Sequence, residues 1–201
     1  MRLGVLVSGR GSNLEAVLDA VEAGRLEDIE PRIVISNRPR VRALRVAARH
    51  GVPSLVLTRD AFPDARSRDG AIGLALAEAG CQMALLAGYD QLLRAPYFAA
   101  FSGETINIHP SLLPRHGGKG MVGLAVHASV LAAGDAETGV TIHRVTRDLD
   151  AGPIVAQASV VVQRLDDPEA LARRVLEVEH RLLVDTLGRL GRQGVAEPVI
   201  C

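Results

Sequence analysis

An asparagine and a histidine stand two positions apart in the run Thr105–Pro114, which reads TINIHPSLLP. Side chains at positions i and i+2 of a β-strand point to the same face, so Asn107 and His109 are predicted to project side by side. The strand must end at Pro110, and ligands of open α/β sheets bind at the carboxyl ends of strands. An amide and an imidazole placed there can donate hydrogen bonds to a developing negative charge. A histidine taken alone, however, is more often a structural residue.

The first loop, Ser8–Leu14 (SGRGSNL), follows an apolar strand and leads directly into a helix. Glycines let a backbone approach a ligand closely, and the free N–H groups of a helix start bind anions. The loop therefore suits a phosphate site, and it suits equally well a plain tight turn in which Ser12 or Asn13 caps the helix. No Gly-Lys-Ser/Thr follows and the glycine spacing is not GxGxxG, so neither a P-loop nor a dinucleotide site is predicted.

Apolar runs alternate with amphipathic stretches along the first half of the chain. This β-α-β-α-β-α-β order is typical of a parallel, doubly wound sheet, whose strands are buried on both faces and read as continuously apolar. The predicted strands of this half are Leu3–Val7, Arg32–Ser36, Ser54–Leu57 and Met83–Tyr89, and the predicted helices are a stretch ending at Ala23, Val41–His50 and Arg68–Ala79.

The predicted strands and helices follow a different order in the second half of the chain. A strand at Thr105–His109 and a helix at Val122–Ala133 precede two apolar runs, Gly139–Val145 and Ile154–Val162, that indicate an antiparallel strand pair. A long amphipathic helix is predicted at Pro168–Leu190. The predicted fold class is α/β: a single domain with a doubly wound, mostly parallel, Rossmann-like sheet, an antiparallel C-terminal strand pair and a long C-terminal helix.

The composition excludes several classes of protein. Basic and acidic residues number 23 each, and a net charge of zero argues against a nucleic-acid binder. Cys81 and Cys201 have no CxxC partners, so a zinc ribbon and a redox pair are not predicted. No apolar run approaches the roughly 18 residues that span a membrane, and the N-terminus is interpreted as a first strand, not as a signal peptide. We therefore expect a cytoplasmic protein. Its expected partners are small molecules, and its oligomeric state, monomer or homodimer, is left open.

Two separated segments resemble one enzyme family. Asn107–Pro114 closely resembles the signature of the 10-formyltetrahydrofolate-dependent formyltransferases, and Asp148–Ile154 (DLDAGPI) resembles the family's second motif. Two motifs in the right order are far more specific than either alone. Ser8–Leu14 and Lys119–His127 are similar to a branch of the family whose acceptor is a phosphorylated ribonucleotide, and the resemblance covers roughly residues 1–190.

The resemblance implies one formyltransferase domain over residues 1–201, with a ribonucleotide phosphate-binding half at 1–100 and a catalytic and folate-binding half at 101–201. It implies transfer of a formyl group from the co-substrate 10-formyltetrahydrofolate to the amine of glycinamide ribonucleotide in purine biosynthesis, without a metal. Asn107, His109 and Asp150 match the catalytic trio, in which the carboxylate pairs with the histidine.

The substrate sites follow from the same resemblance. The positions that match the ribonucleotide site are Gly11, Ser12, Asn13 and Glu179; those that match the folate site are Arg66, Leu86, Asp90, Gln91, Leu92, Leu93, Asn107 and Val145. Two departures affect the folate site. Gln91 stands where some relatives have arginine, and the register of the usual folate-side arginine leaves Arg66 as the best match, with Arg68 close by.

Three other functions remain open at this point. Methionyl-tRNA formyltransferase and formyltetrahydrofolate hydrolase share the trio, but the first normally has a C-terminal tRNA-binding domain and a basic surface, and the second an N-terminal regulatory domain. A neutral chain of 201 residues that starts at its first strand is expected to be neither. A non-catalytic nucleotide- or folate-binding module on the same frame is the third alternative, since fold does not fix function.

Overall fold

The computed structural model of the protein describes residues 1–194, so Cys201 lies outside the described residues. The strands are β1 (Arg2–Val7), β2 (Glu30–Ser36), β3 (Ser54–Val56), β4 (Met83–Leu86), β5 (Glu104–His109), β6 (Glu137–Arg144) and β7 (Ile154–Val161). The α-helices are α1 (Ser12–Glu22), α2 (Arg42–Arg49), α3 (Ala65–Glu78), α4 (Ala95–Ala100), α5 (Leu124–Ala133) and α6 (Pro168–Gln193).

The seven strands form one sheet in the order β3-β2-β1-β4-β5-β6-β7. In the first part of the sheet, β1 pairs in parallel with β2 and β4, and β2 pairs in parallel with β3. In the second part, β6 pairs antiparallel with both β5 and β7. The predicted fold class is therefore confirmed, including the antiparallel C-terminal strands and the long C-terminal helix.

Local features of the chain explain three places where the observed helices and strands differ from the predicted ones. Helix α3 begins at Ala65, three residues before the predicted start, because the side chain of Asp64 caps it by accepting the N–H of Ser67 at 2.7 Å. Strand β4 ends at Leu86, before the predicted Tyr89, and the intervening Gly88 has a φ of +73° that no strand residue adopts. Helix α4 is missing from the prediction because six residues give too little periodicity to detect.

The chain divides into two compact units: Met1–Thr105 with the segment from Val184 onward, and Ile106–Leu183. In the first unit, β1 and β4 are almost completely buried, as strands covered on both faces must be. In the second unit, β6 is the most buried strand and β7 is partly exposed. Within residues 1–194, no helix combines the length and apolar composition needed to cross a membrane. The single domain with halves at 1–100 and 101–201 stays a prediction.

Candidate functional site

Asn107 and His109 lie on β5 as the sequence predicts, and the strand ends at His109. The antiparallel register places Asn107 opposite His143 of β6 and His109 opposite Thr141. Asn107 is half-buried, whereas His109 and His143 are buried. Two histidines and an amide thus lie near the carboxyl end of a strand. Which of their nitrogens donate hydrogen bonds and which accept them determines the chemistry that the cluster can support.

The hydrogen bond between Asn107 and His143 has a defined direction. Nδ1 of His143 lies 3.0 Å from the carbonyl oxygen of Arg144 and must carry a proton, because a carbonyl only accepts. Burial lowers the pKa of His143; the Arg144 carbonyl and the charge of Asp150 oppose this shift, and the charge of His109 adds to it. In the resulting neutral ring, Nε2 accepts the hydrogen bond from Nδ2 of Asn107 at 3.1 Å.

The ring of His109 has its own backbone partner. Its Nε2 lies 2.9 Å from the carbonyl oxygen of His116, so Nε2 carries a proton and donates it to that oxygen. Within residues 1–194, Nδ1 of His109 has no hydrogen-bond partner. His109 therefore presents a second nitrogen that can serve a ligand.

The loop after β5 is fixed to the neighbouring strands. Thr141 donates from Oγ1 to the carbonyl of Ser111 at 2.7 Å and accepts the N–H of Leu113 at 3.0 Å. Gln157 of β7 donates to the carbonyl of Leu113 at 3.0 Å and to Thr141 at 2.8 Å. These buried bonds hold the residues that follow His109 in one conformation.

Asp150 lies near this cluster but does not pair with His109. Its Oδ2 accepts the backbone N–H of Gly118 at 2.8 Å, and its Oδ1 lies 3.7 Å from Nε2 of His143. Within residues 1–194 it makes no hydrogen bond or ion pair with His109, contrary to the pairing that the resemblance implies. Its backbone has a φ of +53°, and a Cβ added at Gly117 would lie in ordinary van der Waals contact with the Cβ of Asp150, 3.4 Å away.

Two further predicted residues belong to the same unit. Glu179 is buried within α6, and Val145 follows β6 with a half-buried side chain. Their positions leave the predicted contacts with ribonucleotide and folate as predictions.

The predicted phosphate loop lies in the other unit. Gly11 is the N-cap of α1, with a φ of +74° and no side chain to cap the helix. A Cβ at this position would lie 2.7 Å from the Cβ of Ala43, so the glycine is required for packing whether or not a phosphate binds. Ser12, the first helical residue, is half-buried, and Asn13 is buried. Glu15 in the first turn is ion-paired with Arg42, whose hydrogen bond lowers the pKa of that carboxyl.

The predicted folate segment begins with a carboxylate that several side chains hold in place. Asp90 accepts hydrogen bonds from Asn37 at 2.7 Å and Ser8 at 3.0 Å, and it pairs with Arg38. Gln91 donates to the same carboxylate at 3.1 Å. Burial raises the pKa of Asp90, but these hydrogen bonds and the Arg38 charge outweigh it, so the pKa lies below its ordinary value. Asp90 is therefore an ionised anchor for the segment.

The apolar residues of the folate segment differ in accessibility. Leu86 and Leu93 are buried, at 6% and 2% exposure, whereas Leu92 is 39% exposed. Of the two arginine candidates, Arg66 is exposed and Arg68 is buried, with Nη2 3.1 Å from the carboxylate of Asp69. Arg66 is thus the arginine that a ligand can reach.

Neither His116 nor His143 is among the site residues predicted from the sequence. The contact of His143 with Asn107 depends on the β5–β6 register, which no local sequence pattern reveals. His116 contributes a backbone carbonyl, a group that any residue type carries.

Within residues 1–194, one group of side chains comes close enough to hold a metal ion: Asp19, Glu22 and His50. Its two exposed carboxylates face different nitrogens of His50, Nε2 and Nδ1, each at 3.2 Å, which is the geometry of two ion pairs.

Comparison with known proteins identifies the family. Residues 1–187 match the family model described as "Formyl transferase". Phosphoribosylglycinamide formyltransferase of Haemophilus influenzae is 36% identical over 183 residues, which cover 90% of this chain and 82% of that protein. The trifunctional purine biosynthetic protein adenosine-3 of Drosophila pseudoobscura is 38% identical over 180 residues, which cover 89% of this chain and only 13% of that protein.

A solved structure leads to the same family. Glycinamide ribonucleotide transformylase 1 from Symbiobacterium toebii superposes with a TM-score of 0.90 at 37% identity, covering 96% of this chain and 88% of that one. The family resemblance drawn from the two motifs is thereby confirmed. Since the family match takes in almost the whole described chain, this protein belongs to the formyl transferase family.

Proposed function

We propose that this protein transfers the formyl group of 10-formyltetrahydrofolate to the amine of glycinamide ribonucleotide, giving formylglycinamide ribonucleotide and tetrahydrofolate in purine biosynthesis. The observation that carries the proposal is the similarity, over nearly the whole chain, to proteins named for that reaction. The hydrogen-bond donors at the end of β5 supply a chemical reason for it, because formyl transfer needs donors where the carbonyl oxygen becomes negative.

Asn107 is the first of these donors. The neutral ring of His143 accepts one N–H of its carboxamide and thereby turns the nitrogen, not the oxygen, toward the ring. Because the carboxamide is planar, this contact also fixes the direction of the second N–H of the same nitrogen, which can donate to the formyl oxygen of the substrate. Preorganised donors of this kind stabilise charge that develops in the transition state, and each typically contributes about 10²–10³ in rate.

His109 is the second donor. Its Nε2–H is bound to the carbonyl of His116, which leaves Nδ1 for the substrate. The acceptor amine attacks the formyl carbon, the carbonyl π electrons move to oxygen, and the protonated imidazole of His109 donates from Nδ1 to that oxygen. Collapse of the tetrahedral intermediate re-forms the carbonyl and breaks the bond from carbon to the folate nitrogen.

Asp150 is proposed to accept the proton that the attacking amine must lose. Its Oδ2 is bound to the N–H of Gly118 and its Oδ1 faces His143, so it is a fixed carboxylate within the same unit. It accepts the proton either directly or through a water that it holds, and the same proton is then delivered to the leaving nitrogen of the folate. The overall reaction is then balanced without a metal.

The substrate contacts remain those implied by the resemblance. The ribonucleotide is assigned to Gly11, Ser12, Asn13 and Glu179, and the folate to Arg66, Leu86, Asp90, Gln91, Leu92, Leu93, Asn107 and Val145. The start of α1 supports the first assignment, since its N-cap residue has no side chain and leaves N–H groups for an anion. Cytoplasmic localisation and a monomeric or homodimeric state are part of the same proposal.

One assay separates this function from its alternatives. Release of the formyl group from 10-formyl-5,8-dideazafolate is followed by absorbance, with and without glycinamide ribonucleotide. Release that depends on the ribonucleotide is expected. Release without any acceptor would indicate a hydrolase instead, and no release under either condition would indicate a binding module.

A further inference from the structure

His116 contacts the ring of His109 through its backbone. Its carbonyl oxygen accepts the Nε2–H of His109 at 2.9 Å and also lies 3.5 Å from Oγ of Ser111. Because this oxygen can only accept, its position decides which nitrogen of His109 carries a fixed proton and which nitrogen faces away from the loop. The orientation of the ring therefore depends on where the backbone at residue 116 is held.

The side chain of His116 holds that backbone. Its Nδ1 lies 2.8 Å from Oγ of Ser129 on α5, and its Nε2 lies 2.8 Å from Oδ2 of Asp135. Asp135 is in turn paired with Arg115 at 2.5 Å. Both ring nitrogens are thus bound to residues outside the loop, and the side chain is only 10% exposed. The hydrogen bond from His116, together with the charge of Arg115, keeps the pKa of Asp135 low, so the carboxylate stays ionised and remains a firm acceptor.

The backbone of His116 adopts a conformation that is uncommon for residues other than glycine. Its φ is +54°, in the left-handed region, where a side chain other than glycine is normally unfavourable. Such a conformation persists only when surrounding contacts enforce it. Two residues further along, Gly118 donates its N–H to Asp150 at 2.8 Å, so the short segment 116–118 contacts both His109 and Asp150. His109 and Asp150 are therefore connected through backbone groups of this segment, although their side chains make no direct hydrogen bond with each other.

We infer that His116 is a positioning residue for formyl transfer: its imidazole, clamped between Ser129 and Asp135, fixes the backbone carbonyl that orients the ring of His109. The inference rests on the proposed function, because it treats His109 as a group that acts on the substrate. Small displacements of a catalytic group from its productive geometry are costly, about 10²-fold in rate for an error near 1 Å. His116 touches no substrate and acts only through His109.

The test uses His116→Gly in the full-length protein. Glycine adopts the left-handed conformation without strain and keeps the carbonyl, so the variant removes only the clamp. We expect kcat to fall about 10²-fold while the KM values for both substrates stay close to wild type. Imidazole ¹⁵N shifts, recorded without substrate at a pH high enough to keep the ring neutral, should show His109 as a single Nε2–H tautomer in the wild type and as a tautomer mixture in the variant. His116→Asn, which tolerates the left-handed region and keeps a polar side chain, should recover part of the lost kcat.

Asp135→Asn tests the clamp from the other side and replaces the glycine variant if that one does not fold. It should lower kcat in the same direction and alter the His109 tautomer signal. His50→Asn is the matched control: it removes another imidazole that is bound at both nitrogens, in this case to Asp19 and Glu22, and it should leave kcat and the His109 shifts unchanged.

Two results would overturn the inference: unchanged kcat in folded His116→Gly and Asp135→Asn, or reduced kcat with an unaltered ¹⁵N signature of His109. A purely structural role would lower the unfolding midpoint and leave the tautomer of His109 intact in the folded fraction. Failure of the proposed function is distinguishable, since the wild-type protein would then not transfer a formyl group to the ribonucleotide, while the tautomer comparison would still report whether His116 orients His109.

Discussion

Nδ2 of Asn107 lies 3.1 Å from Nε2 of His143, and the opposite nitrogen of that ring is bound to the carbonyl of Arg144. The two contacts together allow only one arrangement of protons, in which a neutral histidine accepts from the amide. The carboxamide of Asn107 is consequently held with its nitrogen toward His143 and one N–H to spare. The donor that formyl transfer requires therefore depends on a histidine being uncharged.

Asn107→Asp preserves the shape of the side chain and removes both N–H groups. A carboxylate cannot donate to the formyl oxygen, so kcat should fall about 10²–10³-fold, with little change in the KM for the ribonucleotide. The new negative charge beside His143 should also raise the pKa of that ring. Steady-state kinetics and an NMR titration of His143 measure the two effects. An unchanged kcat would remove Asn107 from the proposed mechanism.

The stability of the protein should depend on pH through His143. Its pKa in the folded state is below the ordinary value of 6.5, chiefly because burial disfavours the charged ring. The unfolded chain therefore binds the proton first as pH falls. Stability is complete above pH 6.5, declines as pH falls below it, and levels off below the folded pKa. In His143→Gln, which does not titrate, the unfolding free energy should vary less over this interval.

The control for that experiment is a second buried histidine. Burial also lowers the pKa of His127, and the charge of His109 adds to the shift, so the wild-type pH dependence contains a share from His127. Urea unfolding of His127→Gln, measured in parallel, isolates that share. If His143→Gln shows the same pH dependence as the wild type, the ring of His143 titrates alike in the folded and unfolded chain, and the neutral acceptor is the wrong description.

The folate segment can be tested at Leu92, which is 39% exposed. Leu92→Asp places the new charge partly in solvent and should leave the unfolding free energy within about 0.5 kcal/mol of wild type. If the folate packs on this side chain, its KM should rise roughly tenfold to a hundredfold and the KM for the ribonucleotide should stay the same. Leu93→Asp is not informative about binding, because it buries a carboxylate at a position only 2% exposed and should unfold the protein. A normal folate KM in Leu92→Asp would contradict the assignment.

The phosphate loop is best tested at Ser12, the first residue of α1. In Ser12→Asp a carboxylate is added to the helix start, which should stabilise the helix by about 0.3–1 kcal/mol. The same charge should repel a bound phosphate, so the KM for the ribonucleotide should rise while folate binding stays normal. Gly11→Val is the contrasting change: it clashes with Ala43 and forces valine to a φ of +74°, so it should lower stability whatever binds. A ribonucleotide KM that does not rise in Ser12→Asp would mean that α1 does not bind the phosphate.

The arginine of the folate site can be assigned by comparing two variants. Arg66 is exposed, and Arg66→Ala should raise the folate KM without altering stability. Arg68→Ala removes a buried partner of Asp69, leaving Arg94 as the remaining cation at that carboxylate, and should reduce stability before it affects binding. Thermal unfolding and folate KM, measured on both proteins, separate the two roles. A wild-type folate KM in Arg66→Ala would show that the matching arginine lies elsewhere.

Much of this protein follows from local sequence patterns. Apolar runs and helical periodicity place the strands and most helices. The two-residue step from Asn107 to His109, with Pro110 after it, defines two neighbouring side chains at a strand end. These features depend on residues within a few positions of one another, and backbone geometry alone relates them. The family resemblance adds the chemistry, because two separated motifs in a fixed order are seldom matched by chance.

Only the tertiary structure decided how those side chains are bonded. His143 meets Asn107 across 36 residues, and Asp150 binds the N–H of Gly118 across 32 residues instead of His109. The contact of His109 with the carbonyl of His116 cannot be recognised from a sequence pattern, because every residue carries a backbone carbonyl. The burial of Arg68 against Asp69 depends on how α3 packs. Strand register and loop path fix such partners, and both are set by the packing of the whole chain and not by the order of its residues nearby.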